Sequence, residues 1–473
     1  MSASPSSHAL EVAMLREGMR HDLATFTHRC FQTVTPGERF APNWHLQAIA
    51  HRLDQVRRGR LRRLIIAMPP RSLKSVCASV AFPAFVLGHD PARKVICVSY
   101  SDGLAGKHAD DCRQVMASAW YRELFPDTHI ARSTAVEIVT TRRGVRLTTS
   151  IGGTLTGRGG NLIIIDDPMK AQDAMSEPTR EAVKAWFSGT LLSRLDNKET
   201  DAIIVVMQRV HVDDLAGHLI AAGGWEVLTL PAIAEVDETI VLGRGRVRHR
   251  RAGEALHATR ESLATLEALR AEIGSLAFSA QYQQAPVPVE GNLIRREWLR
   301  FYDAPPERRA GDVLLLSWDT AMKASETSDY SVGTVWLMRE DVHYLLDLVR
   351  ERLDFPDLKR RAIALHERWR PLATLVEDKG SGTSLLQELR TLVLPVIPFQ
   401  PLGDKAMRMH AQSVRFEAGS VYLPRAAAWL DGLLAELLAF PAGRHDDQVD
   451  SISQALEWAA EHRSRPIPRI RRP

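Results

Sequence analysis

LRRLIIAMPPRSLKSV, residues 61–76, decides how the rest of the chain is read. Leu64-Ile65-Ile66-Ala67-Met68 is an apolar run of strand length, Pro69-Pro70 turns the chain, and Arg71, Ser72, Lys74 and Ser75 lead into an apolar segment of helical character. A strand, a tight loop ending in Lys-Ser and a helix form the framework of a phosphate-binding loop. In such a loop backbone N–H groups at the helix start face the anion, the lysine reaches the outer phosphates and the serine holds magnesium. No glycine lies between Arg60 and Leu87, so the usual glycine spacing is missing and Leu73 stands where its second glycine would be. The same residues suit the start of an ordinary helix carrying an exposed lysine. Downstream sequence favours the phosphate reading.

Leu162-Ile163-Ile164-Ile165 runs into Asp166-Asp167-Pro168. Paired carboxylates after a buried apolar run are costly unless they sit at a strand's exposed end, holding a cation or activating water. In a nucleotide hydrolase the first acid serves Mg²⁺ and the second polarises the attacking water; a helix-capping Asp pair is the plainer reading. Lys94–Tyr100 and Ala202–Met207 are further buried strands, the second ending in Gln208-Arg209-Val210-His211, where polar tips can sense a γ-phosphate. Strands alternating with helices predict a mostly parallel sheet with its ligand at the carboxyl ends. Trp225–Leu230 suits one more strand, residues 136–151 a hairpin around Arg143-Gly144, and 173–195 a long helix. Gln47, upstream of the loop, can read an adenine edge because its amide donates and accepts; its spacing equally suits the surface of an amphipathic helix.

The second half carries its own acids. Asp312–Asp319 reads as a strand ending in a carboxylate, Ser331–Leu337 and Val342–Val349 as two strands of an antiparallel meander, and Leu372–Asp378 as a strand running into Glu377 and Asp378. A helix opens at Asp446-Asp447 and carries Asp450 one turn on. Carboxylates brought close together repel and persist only where cations neutralise them. Two divalent ions about 3.5–4 Å apart would activate a water and stabilise the leaving oxygen of a phosphodiester. Asp319 would bridge them, Glu377 would hold one, and Asp446 or Asp447 the other, with Asp450 supporting or binding directly. Asp329 and Asp378 are lesser candidates.

The remaining residues set bounds. At 473 residues the chain suits two domains, each able to bury a core. The formal net charge is only +4, so any polyanion site must come from local clustering. Arg244, Arg246, Arg248, Arg250 and Arg251 supply one such cluster, readable as a solvated basic loop or as a phosphate contact. Cys30, Cys77, Cys97 and Cys112 form no C-x-x-C pair and read as reduced core thiols. No apolar run approaches the roughly 20 residues that span a bilayer, so a cytoplasmic location without membrane contact is expected.

Pro69–Ser75, Ile165–Pro168, Met207–His211 with Asp214-Leu215 after it, and the acids at 319, 377 and 446–447 together resemble the large terminase subunit of tailed bacteriophages. They resemble equally its relatives in prophages and gene transfer agents. The resemblance covers roughly residues 40–460. It implies an α/β protein: an N-terminal P-loop ATPase domain with a mostly parallel central sheet, and a C-terminal ribonuclease-H-like nuclease domain with a mixed sheet. The expected boundaries are 1–40 for a helical or flexible segment, 41–235 for the ATPase, 236–295 for a linker with a basic loop and helix, 296–462 for the nuclease, and 463–473 for a disordered Arg/Pro-rich tail.

The resemblance further implies ATP and Mg²⁺ at the first domain and two ions, Mg²⁺ or Mn²⁺, at the second. Lys74 and Ser75 would contact phosphates and Mg²⁺, with Ser72 and Arg71 also at the nucleotide and Arg71 at its γ-phosphate. Asp166 would serve the metal, Asp167 would stand as the catalytic acid, Gln208 and Arg209 would form the coupling motif, and Gln47 would contact adenine. Arg158, on the glycine-rich stretch 152–160, is the candidate that completes a neighbour's site in a ring of subunits. The implied partners are double-stranded DNA, a portal protein and a small terminase subunit, in a bacterial host's cytoplasm; the subunit could be monomeric in solution. Two other readings stay open, a cellular helicase–nuclease of repair or defence and an inactive prophage remnant that only binds DNA or a portal.

Overall fold

The computed structural model describes residues 16–155, 157–287, 293–321, 330–392, 394–401, 403–443 and 445–462. Asp329 and the tail 463–473 lie outside them. The chain divides into two compact units after Val287, with Ala271–Gly274 counted to the second.

The first unit is built on strands β1 (Arg63–Ala67), β2 (Lys94–Ser99), β3 (Ile130–Ser133), β4 (Glu137–Thr140), β5 (Val145–Ser150), β6 (Leu162–Asp166), β7 (Ala202–Met207) and β8 (Glu226–Thr229). They form one sheet in the order β3-β4-β5-β2-β6-β7-β1-β8. From β5 to β8 every pairing is parallel, and only β3-β4-β5 is antiparallel. The apolar composition of β1, β6 and β7 follows from this topology, since a parallel sheet has both faces covered. On one face pack the helices Leu23–Val34, Trp44–Arg57 and Phe82–His89, with Phe26 5.2 Å from Phe85 and 5.4 Å from Trp120 between ring centroids. On the other lie the helices Glu177–Trp186 and Leu215–Ala222. The expected long helix over 173–195 is shorter than predicted: after Trp186 it widens into a π turn and ends in a 3₁₀ turn. All four cysteines are buried and unbridged.

The arginine-dense stretch is a hairpin of β9 (Glu238–Gly243) and β10 (Arg246–Arg250), not an open loop. Arg250 is fully buried, donating to the carbonyls of Pro231, Ala232 and Glu254 and pairing with Glu238, while Arg248 pairs with Glu254. These two guanidiniums hold the hairpin in place rather than facing a polyanion. The helix expected in the 236–295 linker is split at Gly274, whose left-handed φ of 83° separates Leu263–Ile273 from Ser275–Gln281.

The second unit is a mixed sheet of β11 (Arg300–Tyr302), β12 (Val313–Asp319), β13 (Ser331–Arg339), β14 (Val342–Glu351), β15 (Ala373–Glu377), β16 (Val396–Phe399) and β17 (Val421–Pro424), in the order β11-β17-β14-β13-β12-β15-β16. β12, β13 and β14 form the expected antiparallel meander, and β15 lies parallel to β12. The helix Asp447–Glu461 is fixed to the sheet by a buried polar knot. Ser317 Oγ donates to the Ser451 carbonyl at 2.9 Å, and Ser451 Oγ lies 2.9 Å from the Ser317 carbonyl and 2.8 Å from Thr334 Oγ1. A buried polar group costs about 1–3 kcal/mol when left unpaired, so the knot sets both position and register of that helix. Ser451→Val should therefore destabilise the second unit by about 1–3 kcal/mol in urea unfolding followed by Trp318 and Trp336 fluorescence. An unchanged midpoint would show that apolar packing alone places the helix.

Candidate functional sites

The first candidate site lies where β1 and β6 end. Asp166, the last residue of β6, is 1% exposed and pairs in register with Ser99 on one side and Val206 on the other. Its Oδ1 accepts from Ser75 Oγ at 3.0 Å and its Oδ2 from Ser79 Oγ at 2.6 Å. His108 Nδ1 stands 3.5 Å from the same Oδ2; burial, aided by Arg146 and Lys107, pushes that imidazole down to about 4. Asp167 leaves the strand in a left-handed conformation (φ 45°), its Oδ1 accepting from the Gln208 N–H at 3.2 Å and its Oδ2 lying 3.5 Å from Lys74 Nζ. Burial raises both carboxyls, against the opposing pull of Lys74 and, for Asp166, of the two serine hydroxyls. A lysine, two hydroxyls and two carboxylates thus converge from strand tips that the sequence places about a hundred residues apart.

The loop itself shows how a phosphate-binding shape is kept without glycine. Arg71 and Leu73 both adopt positive φ, 59° and 61°. For residues with a Cβ this costs roughly 1–2 kcal/mol each. Neighbours hold the strained backbone. His45 Nε2 lies 3.2 Å from the Ser72 carbonyl, Ser72 Oγ donates to the Pro69 carbonyl at 2.7 Å, and the Arg260 guanidinium bonds the Arg71 carbonyl. Burial lowers His45 to about 4, and its Nδ1 lies 2.7 Å from the Asn43 amide nitrogen. That pattern suits a neutral ring that accepts at Nδ1 and donates at Nε2.

The other residues singled out in the sequence fall in several places. Gln47 sits two residues beyond His45 on the same helix, a turn of about 200°. It lines a cavity of about 220 Å³ with Asp22, His51, Asp54 and Arg244, to which no residue of the loop contributes. Arg158 is paired with the buried Glu137 at 2.7 Å, and Arg132 shares that carboxylate. Arg209 donates to both oxygens of the wholly buried Asp214 at 3.0 Å, while Asp214 also accepts from the N–H groups of Val210, His211 and Gly217. Arg209 is thereby committed to shaping the turn after β7, and its own N–H donates to Gln284 Oε1 at 2.9 Å.

The second candidate site lies at the ends of β12 and β15, where the acids were expected to meet. Trp318 pairs with Val376 across β12 and β15, so the next residues, Asp319 and Glu377, end the two strands side by side. The start of the helix Asp447–Glu461 completes the group. Asp319, Glu377, Asp447 and Asp450 line one cavity of about 760 Å³, together with Lys405 and Arg408. Asp447 rather than Asp446 faces it: Asp446 instead takes Lys405 Nζ at 2.7 Å. Asp450 is already compensated, by Lys405 at 2.6 Å and Arg408 at 2.7 Å. Burial, then Asp450 and Glu377, holds the Asp319 carboxyl well above the usual carboxylate range despite Lys405.

Among the described residues no three carboxylate, imidazole or thiolate side chains already converge as an ion cage. Burial first, and then the neighbouring acids Asp450 and Glu377, disfavour the ionised form of Asp319. Asp319, Glu377 and Asp447 fit a divalent-cation site by donor type and by sharing one cavity.

Reading the sequence missed Ser79 and His108 at the first site, Glu137 as the partner of Arg158, and Lys405, Arg408 and Glu436 at the second. Lys405 had a signal, since it follows Asp404, whose side chain caps the helix Lys405–Glu417 and so sets the lysine at a helix start. Nothing local marks Glu436, a buried carboxylate that accepts from both the backbone N–H and side-chain amide of Gln448 at 2.6 Å and thereby holds the turn carrying Asp447.

Residues 316–458 match the family model of the terminase RNaseH-like domain. The large terminase of a thermophilic bacteriophage is similar in fold, with a TM-score of 0.50 at 9% identity, over 91% of this chain and 98% of that one. The large terminase of bacteriophage HK97 aligns over 92% of this chain and 99% of its own, at 11% identity and a TM-score of 0.35. The magnesium-bound terminase nuclease of another thermophilic phage, G20c, aligns over 36% of this chain and 98% of its own, at 18% identity and a TM-score of 0.29. No curated protein sequence matches the chain.

The raised Asp319 carboxyl makes the second site pH-sensitive in the absence of metal. The folded state keeps its proton to higher pH than the unfolded chain, so stability falls as pH rises from the ordinary carboxylate range through the folded value. Asp319→Asn should raise the metal-free unfolding temperature of the second unit at pH 8, and the gain should shrink towards pH 4. A gain independent of pH would show that Asp319 is not the strained charge.

Proposed function

We propose, from a terminase ribonuclease-H-like domain set within a two-domain fold of the large-terminase type, that this chain is an ATP-driven motor that moves double-stranded DNA into a viral shell and cuts it with a metal-dependent endonuclease. One observation carries the reading. Two separate groups of strand-end carboxylates occur in one chain, one joined to Lys74 and Ser75, the other facing an open cavity.

In the first site Lys74 and Ser75 would hold the outer phosphates of ATP, and Mg²⁺ would sit between Ser75 and Asp166. Lys74 is 3.5 Å from Asp167, so a γ-phosphate competing for the lysine would release Asp167 to orient the attacking water. The Gln208 N–H bond to Asp167 ties that carboxylate to the turn fixed by Arg209 and Asp214, which gives hydrolysis a route to the backbone after β7. Arg158 is proposed to act across a subunit boundary, leaving Glu137 when a neighbour assembles. Gln47 could serve an adenine only in an arrangement other than the one described.

In the second site Asp319, Glu377 and Asp447 would hold two divalent ions, Mg²⁺ or Mn²⁺, which when bound supply an activated water and a counter-charge for the leaving oxygen. Lys405 and Arg408 keep Asp450, and through it the helix start, in place beside the three facing acids. A portal protein, a small terminase subunit and a ring of like subunits are the partners this reading assigns, in a bacterial host's cytoplasm. Among the described residues no helix is long and apolar enough to cross a membrane. A scaffold that only binds DNA or portal would have no use for Lys74 held against Asp167 or for a desolvated Asp319.

Lys74→Ala should lower ATP hydrolysis on the order of 10²–10³-fold while leaving metal-dependent plasmid cleavage intact, and Asp319→Ala should do the reverse. Loss of both activities with either change, or of neither, would overturn the two-site assignment.

A further inference from the structure

The cavity is lined by six carboxylates against three cations, Lys379, Lys405 and Arg408, and its excess of acid disfavours a polyanion, so groups beside it are needed to receive the DNA. The meander places candidates at the same end of the sheet. Asp319 pairs with Val332 across β12 and β13, and Val332 pairs with Arg350 across β13 and β14. Directly opposed residues point to the same face of a sheet, so Arg350 shares its face with Asp319, two strands or about 10 Å away. Arg352 follows at the end of β14. Both guanidiniums lie on Tyr330, which lines the cavity: Arg350 Cζ is 3.8 Å and Arg352 Cζ 4.4 Å from the ring centroid. His445 meets the same ring edge-on at 5.4 Å, just before the acids at 446 and 447.

We propose that Tyr330, Arg350 and Arg352 form a phosphate clamp that seats the DNA backbone next to the scissile position. The assignment rests on the nuclease reading and deepens it. With two guanidiniums already against it, the ring serves as their support and not as a platform for a base, so recognition is of phosphate and independent of sequence. Arg350 also lies 3.3 Å from Glu436, the carboxylate that holds Gln448 beside Asp447. The clamp and one of the acids therefore share a single buried anchor, which would keep the distance from seated phosphate to cutting acids constant.

The test uses the full chain in the non-cleaving Asp319→Asn background and a short random-sequence DNA duplex, with binding followed by fluorescence anisotropy over a salt series. For every phosphate that a variant ceases to neutralise, the slope of log K against log salt should become shallower by about 0.9. Arg352→Gln should flatten the slope by the equivalent of about one phosphate and weaken binding several-fold at low salt. Arg350→Lys, which keeps the charge but not the planar stack, should keep most of the slope. In the cleaving background Arg352→Gln should raise the KM for DNA more than it lowers kcat, with ATP hydrolysis and the thermal shift produced by Mn²⁺ unchanged. An unchanged salt slope, or equal weakening at all salt concentrations, would overturn the clamp. A wild-type chain that binds with the expected slope but never cleaves would instead overturn the nuclease reading.

Discussion

Carboxylates buried at the ends of strands dominate the energetics of both sites. A lone ionised acid out of water is expensive, and several together are worse. At the first site Lys74, Ser75 and Ser79 offset much of that penalty, and the loop is bent into left-handed turns to bring the lysine there. At the second, Lys405 and Arg408 neutralise Asp450 and leave Asp319 underserved. The surroundings of each group are arranged to carry that charge: the His45 and Arg260 braces behind the phosphate loop, and the Ser317–Thr334–Ser451 knot beneath the helix that supplies Asp447.

The loop is instructive because it breaks its own sequence rule. Glycine usually supplies positive φ without strain; here Arg71 and Leu73 adopt it and external hydrogen bonds hold them. The bracing residues come from outside the motif, so the shape became a property of the domain. A pattern search for glycines would pass over this site, although its lysine, serine and acids are all present.

Support and site are divided between neighbouring acids at the second site. Lys405 bridges Asp446 and Asp450 on the outer side, whereas Asp319, Glu377 and Asp447 face the cavity. Of two adjacent aspartates at one helix start, one is a support and the other faces the site. Spacing alone left that choice open, because the two are adjacent in sequence at one helix start.

The sequence by itself determined strands β1, β2, β4 to β8 and β12 to β15, their alternation with helices, the parallel character of the first sheet, the meander of the second, and the acids at strand tips, while the short strands β3, β9 to β11, β16 and β17 escaped it. Those signals are local: apolar runs of strand length and carboxylates that interrupt them. Only the tertiary structure decided which acids meet, that Gln47 turns to a different cavity from the loop, that Arg209 and Arg250 are committed to buried partners, and that Arg350 shares a face with Asp319. Each of those outcomes depends on register between strands or on a partner far along the chain. A charged side chain is placed by its partners, and its partners are chosen by the packing of the whole domain.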